Sequence, residues 1–201
     1  MSQKVKLTIL NELSDIKHKN IFFKFPYDEY DFNSGKMDNL EFKIFSYYVD
    51  NLIYNIQIWQ LCTPLNYPKI IDNHFSDTDM YIVILDLKSS SIDNFMTNYN
   101  IIFNKKIFLI IIGTIKDYET FIRQISKNNI DIIKSFHIEN IKKDIVKKTV
   151  KDIIQKSVQI IQEDLHDIDL DSDDEKTFLV SDNTIKVKNY IYKWYKKYKC
   201  F

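Results

Sequence analysis

Apolar and polar positions divide the first 162 residues into predicted strands and helices. Residues 4–10 alternate and then become apolar throughout, which is typical of a buried strand. Further strands are predicted at 43–49, 55–59, 79–87 and 130–136. Helices are predicted at 20–25, 89–103, 120–127 and 141–162, and the last carries one continuous apolar face. Alternating strands and helices indicate an α/β fold, whereas the polar stretch 26–39 is predicted to be a turn-rich loop.

Size and composition favour one globular domain. A chain of 201 residues can bury a sizeable core. Because 28 basic and 28 acidic residues balance, net charge gives no support for nucleic-acid binding. The longest apolar runs fall short of the roughly 18 residues that a transmembrane segment needs, and the start MSQKVKLTIL resembles a charged strand rather than a signal peptide. Cys62 and Cys200 form neither a disulfide framework nor a metal pattern, so we expect a cytoplasmic protein.

After residue 162 the charge separates into two blocks of opposite sign. Residues 163–175 contain eight carboxylates and no Lys or Arg, which predicts an acidic linker. Residues 176–201 contain seven Lys and one Asp, and form a basic aromatic C-terminal tail. The residues of this tail that we expect to make contacts are Tyr190, Trp194, Tyr195, Lys196 and Lys197. The tail either packs on a protein surface, which we prefer, or makes peripheral contact with an anionic membrane.

Several stretches resemble the strands of Rab-type small GTPases. Phe42-Lys43-Ile44, Asp50 and Gln57-Ile58-Trp59 are similar to the second and third strands of that family. Residues 79–87 and 107–113 resemble its fourth and fifth strands. For residues 1–162 the resemblance implies an α/β, three-layer P-loop NTPase-like (small GTPase) fold. Its sheet would be mostly parallel and six-stranded, with one antiparallel strand and helices on both faces.

Most of the family's nucleotide-binding residues are missing. A phosphate-binding loop needs glycines, because its backbone N–H groups wrap the phosphates closely. Residues 11–18 contain no glycine and only Lys17 matches, while Asp117 alone remains of the base-recognition motif. Pro64 stands at the position of the catalytic glutamine and lacks both an amide side chain and a backbone N–H. We therefore expect no catalysis and no bound cofactor, with Lys17 and Asp117 as vestigial nucleotide-binding residues. The competing interpretations are a solvated surface lysine for Lys17, which we prefer, and an ordinary helix-cap or turn residue for Asp117.

The resemblance instead predicts a protein-binding surface. Rab-like proteins bind effectors through an aromatic triad, which corresponds here to Phe42, Trp59 and His74. We therefore expect a catalytically inactive small-GTPase-like domain that is a nucleotide-independent scaffold or complex subunit, in vesicle or ciliary trafficking by family analogy. Simple burial of Phe42 and Trp59 on the strand hairpin is the competing interpretation. Two further alternatives are an atypical Rab-type GTPase that binds GTP and Mg²⁺, and a membrane-tethering module that acts through the tail.

Overall fold

The computed structural model describes residues 2–11, 13, 21–24, 32–37, 40–49, 51–61, 77–128 and 130–170. The chain divides into two compact units, residues 1–162 and 163–201, and the first contains the sheet. The strands are β1 (Ser2–Asn11), β2 (Phe32–Met37), β3 (Leu40–Val49), β4 (Leu52–Leu61), β5 (Met80–Asp86), β6 (Lys106–Ile112) and β7 (Ile132–Ile138). The helices are α1 (Ile21–Lys24), α2 (Ile92–Asn98), α3 (Ile115–Ile125) and α4 (Lys143–Leu170), with a 3₁₀ turn at Asn100–Ile102.

All seven described strands belong to one sheet, in the order β2-β3-β4-β1-β5-β6-β7. Strand β1 lies between β4 and β5 and runs parallel to both. Strands β5, β6 and β7 continue the parallel part, whereas β3 is antiparallel to both of its neighbours. The chain is therefore an α/β protein with a mixed sheet.

The predicted small-GTPase sheet is wrong. That arrangement has six strands and one antiparallel strand, whereas this sheet has seven strands and two antiparallel pairings at one edge. The difference arises at β2, which lies inside the segment 26–39 that was predicted to be a loop. Its sequence, FNSGKM, has little apolar pattern of its own. Pairing with β3, from Phe32 opposite Phe45 to Met37 opposite Leu40, makes this segment a strand because tertiary context overrides weak local propensity.

Helices pack against both faces of the sheet. On one face, β1, β4 and β5 form a buried cluster with α1 and α4. This first cluster includes Leu7 of β1 and Phe22 of α1. On the other face, β5 and β6 form a second cluster with α2 and α3, represented by Leu109 and Phe95. Strands β5 and β6 are buried on both faces, which explains their unbroken apolar sequences. The second cluster contains no described residue of β2 or β3.

Helix α4 is longer than predicted. It comprises 28 residues and ends at Leu170, inside the segment 163–175 that was predicted to be an acidic linker. Its buried positions Val146, Val150, Ile153 and Ser157 recur at helical spacing, and the first three belong to the first cluster. Residues 171–201 lie outside the described part of the chain, so the predicted tail boundary at 176 stays a prediction.

Candidate functional site

Phe42 and Trp59 lie side by side on the sheet. They are directly opposite each other in the β3–β4 register, with ring centroids 5.0 Å apart and ring planes tilted by 31°. On its other side Phe42 is opposite Gly35 of β2. A Cβ atom on Gly35 would lie 2.4 Å from Cζ of Phe42, so the glycine leaves the space that the ring occupies. The structure thus brings together two of the three predicted partner-binding residues, and the third, His74, lies outside the described residues.

A buried lysine lies next to the Trp59 ring. Nζ of Lys6 is 5.2 Å from the ring centroid, a distance at which a cation is attracted to the face of an indole. Lys6 is only 5% exposed and forms an ion pair with Asp77. The other carboxylate oxygen of Asp77 is 3.4 Å from Nζ of Lys4. Asp77 therefore holds the ammonium group of Lys6 next to the Trp59 ring.

Residues 77–79 are attached to β1 by further hydrogen bonds. The Lys6 N–H donates to Oδ2 of Asp79 at 2.7 Å, and the Asp79 N–H donates to the Lys6 carbonyl at 3.0 Å. The hydroxyl groups of Thr8 and Thr78 are 2.8 Å apart and buried. We call this set of contacts between β1 and residues 77–79 the clasp. It fixes the start of β5 beside the strand that borders Trp59.

The two carboxylates of the clasp have opposite pKa shifts. Burial raises the pKa of Asp79 above its ordinary value, and this outweighs the Lys6 N–H that stabilises its charge. Burial also acts to raise the pKa of Asp77, but the hydrogen bond and charge of Lys6, together with Lys4, hold that pKa below its ordinary value. Asp77 is therefore the member of the pair that is ionised most readily, and it stabilises the buried ammonium group.

The sheet face that carries Phe42 and Trp59 continues to the turn between β3 and β4. Because side chains alternate along a strand, every second residue from Phe42 to Tyr48 is on this face. Tyr48 is opposite Ile53 in the register, and the two are 70% and 39% exposed. We call the surface from the Phe42–Trp59 pair to the Tyr48–Ile53 pair the hairpin face. Its middle is polar, with Ser46 opposite Asn55 and Gln57 opposite Ile44.

Asp117 lies in the first turn of α3. The Asp117 N–H donates to Oγ1 of Thr114 at 3.2 Å, and this hydroxyl lies 2.6 Å from Oδ2 of Asp117, to which it donates in turn. Thr114 is the N-cap residue, so the two side chains form a reciprocal cap similar to a capping box. The carboxylate of Asp117 is thus part of the N-terminal cap of α3. Lys17 lies outside the described residues, and a vestigial nucleotide-binding role for either residue stays a prediction.

Other polar side chains at the carboxyl ends of the strands also serve local turns. This edge is where α/β sheets generally bind their ligands. After β1, Oδ1 of Asn11 accepts a hydrogen bond from the Leu13 N–H at 2.8 Å. After β5, Oδ1 of Asp86 accepts one from the Lys88 N–H at 3.0 Å. At these two positions the polar side chain thus stabilises a turn of its own segment.

Sequence reasoning missed most of the residues around Trp59. It did not find Lys6 and Asp77, or the exposed pair Tyr48 and Ile53. One signal was present, because Lys4 and Lys6 occupy alternate positions of a strand predicted to be buried, and a buried ammonium group requires a partner. The predicted tail contacts, which are Tyr190, Trp194, Tyr195, Lys196 and Lys197, lie outside the described residues.

Comparison with known proteins gives no family for this chain. No protein-family model matches it, and no curated protein is similar to it at a significant level. Among the residues that the structure describes, no three His, Cys, Asp or Glu side chains are grouped so that they could hold a metal ion. None of the described helices is both long enough and apolar enough to cross a membrane.

Proposed function

We propose that the chain is a catalytically inactive protein-interaction domain that binds a protein partner without nucleotide, as a scaffold or as a subunit of a larger assembly. One observation carries the proposal, namely the exposed apolar side chains of the hairpin face. Tyr48 and Ile53 are exposed on the same sheet face as the half-buried Phe42 and Trp59. Aromatic residues in such positions are typical of the energetic centres of protein interfaces. A role in vesicle or ciliary trafficking rests on the Rab resemblance alone.

The hairpin face indicates which kind of partner fits. Phe42 and Tyr48 are six residues apart on one strand, which corresponds to about 20 Å. The polar residues Ser46 and Asn55 separate the two apolar ends. A matching partner segment therefore presents two apolar anchors about 20 Å apart, with hydrogen-bonding groups between them. An aromatic anchor at the Tyr48 end would bury the most surface.

The Phe42–Trp59 end of this face is packed between neighbouring residues. Gly35 and Trp59 hold the Phe42 ring on both sides, and the Lys6–Asp77 pair lies against Trp59. A preorganised surface loses little conformational entropy on binding. In nucleotide-dependent switches, by contrast, the γ-phosphate and Mg²⁺ order the binding segment. Lys6 and Phe42 supply packing contacts to Trp59, which supports a surface that does not need nucleotide to order it.

The nucleotide-independent part of the proposal is tested by thermal unfolding of the purified chain. We expect the same Tm in buffer, with GDP and Mg²⁺, and with a non-hydrolysable GTP analogue and Mg²⁺. We also expect no guanine nucleotide to be released when the protein is denatured. A ligand at 100 times its Kd stabilises a protein by about 2.7 kcal/mol, so binding would raise the Tm visibly. Such a rise would refute the proposal in favour of an atypical GTPase.

The binding surface is tested with a matched pair of exposed apolar residues. A partner is first captured by cross-linking, then purified, and its Kd is measured with the wild-type chain and two variants. We expect Tyr48→Ala to weaken binding by about fivefold or more, because truncation of an interface aromatic costs over 1 kcal/mol. Ile115→Ala, on the exposed start of α3, should leave the Kd unchanged. Equal affinities for the wild type and Tyr48→Ala would place the binding site elsewhere.

A further inference from the structure

Strand β7 is one of the two edges of the described sheet. The other edge, β2, has the sequence FNSGKM with little apolar pattern, whereas β7 reads IIKSFHI and contains one lysine, Lys134, and no Asp, Glu, Arg or Pro. Its inner side pairs with β6, and no described strand pairs with its outer side. Exposed sheet edges are usually protected by several charges, by proline or by bulges, because their unpaired backbone groups can bind another strand. One irregularity lies near the start of β7, and Lys134–Ile138 pair regularly with β6.

The backbone groups of Ser135 and His137 point away from β6. Just after β6, the Gly113 N–H donates to the Ile138 carbonyl at 3.2 Å, so Ile138 directs its backbone groups toward β6. Successive residues of a strand direct their N–H and C=O groups to opposite sides. In the regular part of β7, Phe136 therefore shares the orientation of Ile138, and the residues on either side of it have the opposite one. Two N–H and two C=O groups are thus presented at the outer edge of the sheet.

The side chains of β7 do not prevent a second strand from pairing there. Nζ of Lys134 is 3.9 Å from Oδ2 of Asp152 on α4 and 4.8 Å from the ring centroid of Phe136. The lysine charge is therefore partly balanced within the chain. The Phe136 ring is half-buried at the border of the first cluster. A half-buried ring on an edge strand gains further burial when another strand pairs beside it.

An antiparallel second copy of β7 satisfies the outer backbone groups in one register. Phe136 is the middle residue of the regular part of β7, so a pair centred on it places Ser135 of each copy opposite His137 of the other. Both residues turn their backbone groups outward, so the two opposed pairs exchange four N–H···O=C hydrogen bonds. The two Phe136 side chains meet at the non-hydrogen-bonded position, where cross-strand neighbours are closest. Each Lys134 lies opposite Ile138 rather than opposite the other lysine, so like charges are not brought together.

We propose that the outer edge of β7 is a self-association surface, at which β7 of a second copy of this chain pairs in the antiparallel direction with Phe136 opposite Phe136. The occupant is a second copy because the same strand supplies every donor and acceptor that the edge requires, in a register that separates the lysines. Such a two-fold contact is closed, as in most dimers, and joins two sheets into one. The edge formed by β7 lies at the opposite end of the strand order from β3, so this interface is separate from the hairpin face and does not depend on it.

Sedimentation velocity of the full chain tests the proposal. We expect a dimer at about 50 µM that dissociates on dilution. Ser135→Pro removes the outward N–H of each copy, and with it two of the four hydrogen bonds, while the side that pairs with β6 is retained. We expect this variant to self-associate at least about tenfold more weakly. Ser135→Ala is the matched control, because it loses the same hydroxyl contact with Tyr118 but keeps the N–H, and it should dimerise as the wild type does.

Disulfide trapping tests the register and does not depend on the proline variant. In a chain that carries Cys62→Ser and Cys200→Ser, the substitutions Ser135→Cys and His137→Cys are made separately, and the two proteins are mixed before mild oxidation. Opposed residues of a hydrogen-bonded antiparallel pair have Cα atoms about 5.5 Å apart, a separation that suits a disulfide. We therefore expect a covalent dimer of the two variants. Ser34→Cys, on the other edge strand β2, is the control and should form no covalent dimer with His137→Cys.

Three results overturn this assignment of the β7 edge. A wild-type chain that is monomeric at about 50 µM does so, since the edge is then covered by another segment or by a different partner. A dimer that Ser135→Pro does not weaken does so, because its interface lies elsewhere. A mixture of the two cysteine variants that yields no covalent dimer, although circular dichroism shows both to be folded, also does so.

Discussion

Replacing Asp77 by Asn tests the clasp between β1 and residues 77–79. The Lys6 side chain is 6% exposed and the Asp77 side chain 36% exposed, so the ammonium group is buried while the carboxylate is partly hydrated. A hydrogen bond between charged groups contributes about 1.5–3 kcal/mol. Partial hydration of Asp77 places the effect in the lower part of that range. We therefore expect Asp77→Asn to lower the free energy of unfolding at pH 7 by about 2 kcal/mol.

Asp79→Asn is the matched control for this substitution. Asp79 is two residues away and contacts the same strand, but burial raises its pKa, so its ionised form is destabilised by the fold. Asparagine keeps an oxygen that can accept the hydrogen bond from the Lys6 N–H. We expect an unchanged or higher free energy of unfolding for Asp79→Asn. Urea unfolding followed by circular dichroism measures both variants, and equal losses, or a loss below about 0.5 kcal/mol for Asp77→Asn, would refute the reasoning.

The stabilities of the same two variants should respond differently to pH. The folded-state pKa of Asp79 is raised above 3.8, so its contribution to stability is present below 3.8 and is lost as the pH rises through the folded-state pKa. The folded-state pKa of Asp77 is lowered, so its contribution is present above 3.8 and is lost as the pH falls through the folded-state pKa. Between pH 7 and pH 4 the advantage of Asp79→Asn over wild type should therefore shrink, while the deficit of Asp77→Asn persists. Urea unfolding at the two pH values measures both differences.

Two further substitutions test the local geometry. Gly35→Ala places a Cβ in the space of the Phe42 ring, and we expect a loss of about 1–3 kcal/mol in the free energy of unfolding. Ser34→Ala, at the neighbouring exposed position, should stay within about 0.5 kcal/mol of wild type, and equal stabilities for both variants would contradict the packing of Phe42. Thr114→Ala removes the cap of α3 and its contact with Asp117, so thermal unfolding should show a loss of about 1 kcal/mol. An unchanged Tm for Thr114→Ala would show that the cap is dispensable.

Strong apolar patterns were sufficient to predict part of the sheet. Strand β5 is an unbroken apolar run, and such a run is stable only as a strand buried on both faces. The hairpin of β3 and β4 was implied by the Rab resemblance of Phe42-Lys43-Ile44 and Gln57-Ile58-Trp59, and these strands pair in the structure. Strand β2 carries no such pattern, since it depends on backbone pairing with β3 and on Gly35 making room for Phe42. For this reason the strand number and the edge of the sheet were predicted wrongly.

The site was predictable only where side chains are adjacent through strand pairing. Phe42 and Trp59 were proposed together, and the β3–β4 register makes them neighbours. Lys6 and Asp77 are far apart in sequence and meet only after β1 is placed beside β5. The position of Lys6 in a buried strand indicates that it needs a partner, but no local pattern identifies Asp77. Asp117 had two interpretations, a remnant of a nucleotide motif and an ordinary cap residue, and the structure shows its contacts with the cap residue Thr114. A Thr followed three residues later by an Asp predicts a helix N-terminus, and α3 begins at Ile115 rather than at the predicted residue 120.

The central position of β1 has a consequence for how the protein is made. Strand β1 is synthesised before both strands that border it, whose paired residues are 53–60 and 80–84. During translation one edge of β1 therefore remains unpaired until residues 80–84 have been synthesised. Parallel pairing over such sequence separations is slow, because loop closure must precede the contacts that stabilise it. The apolar half of β1 is thus the segment of the nascent chain that most needs protection by a chaperone before β5 is complete.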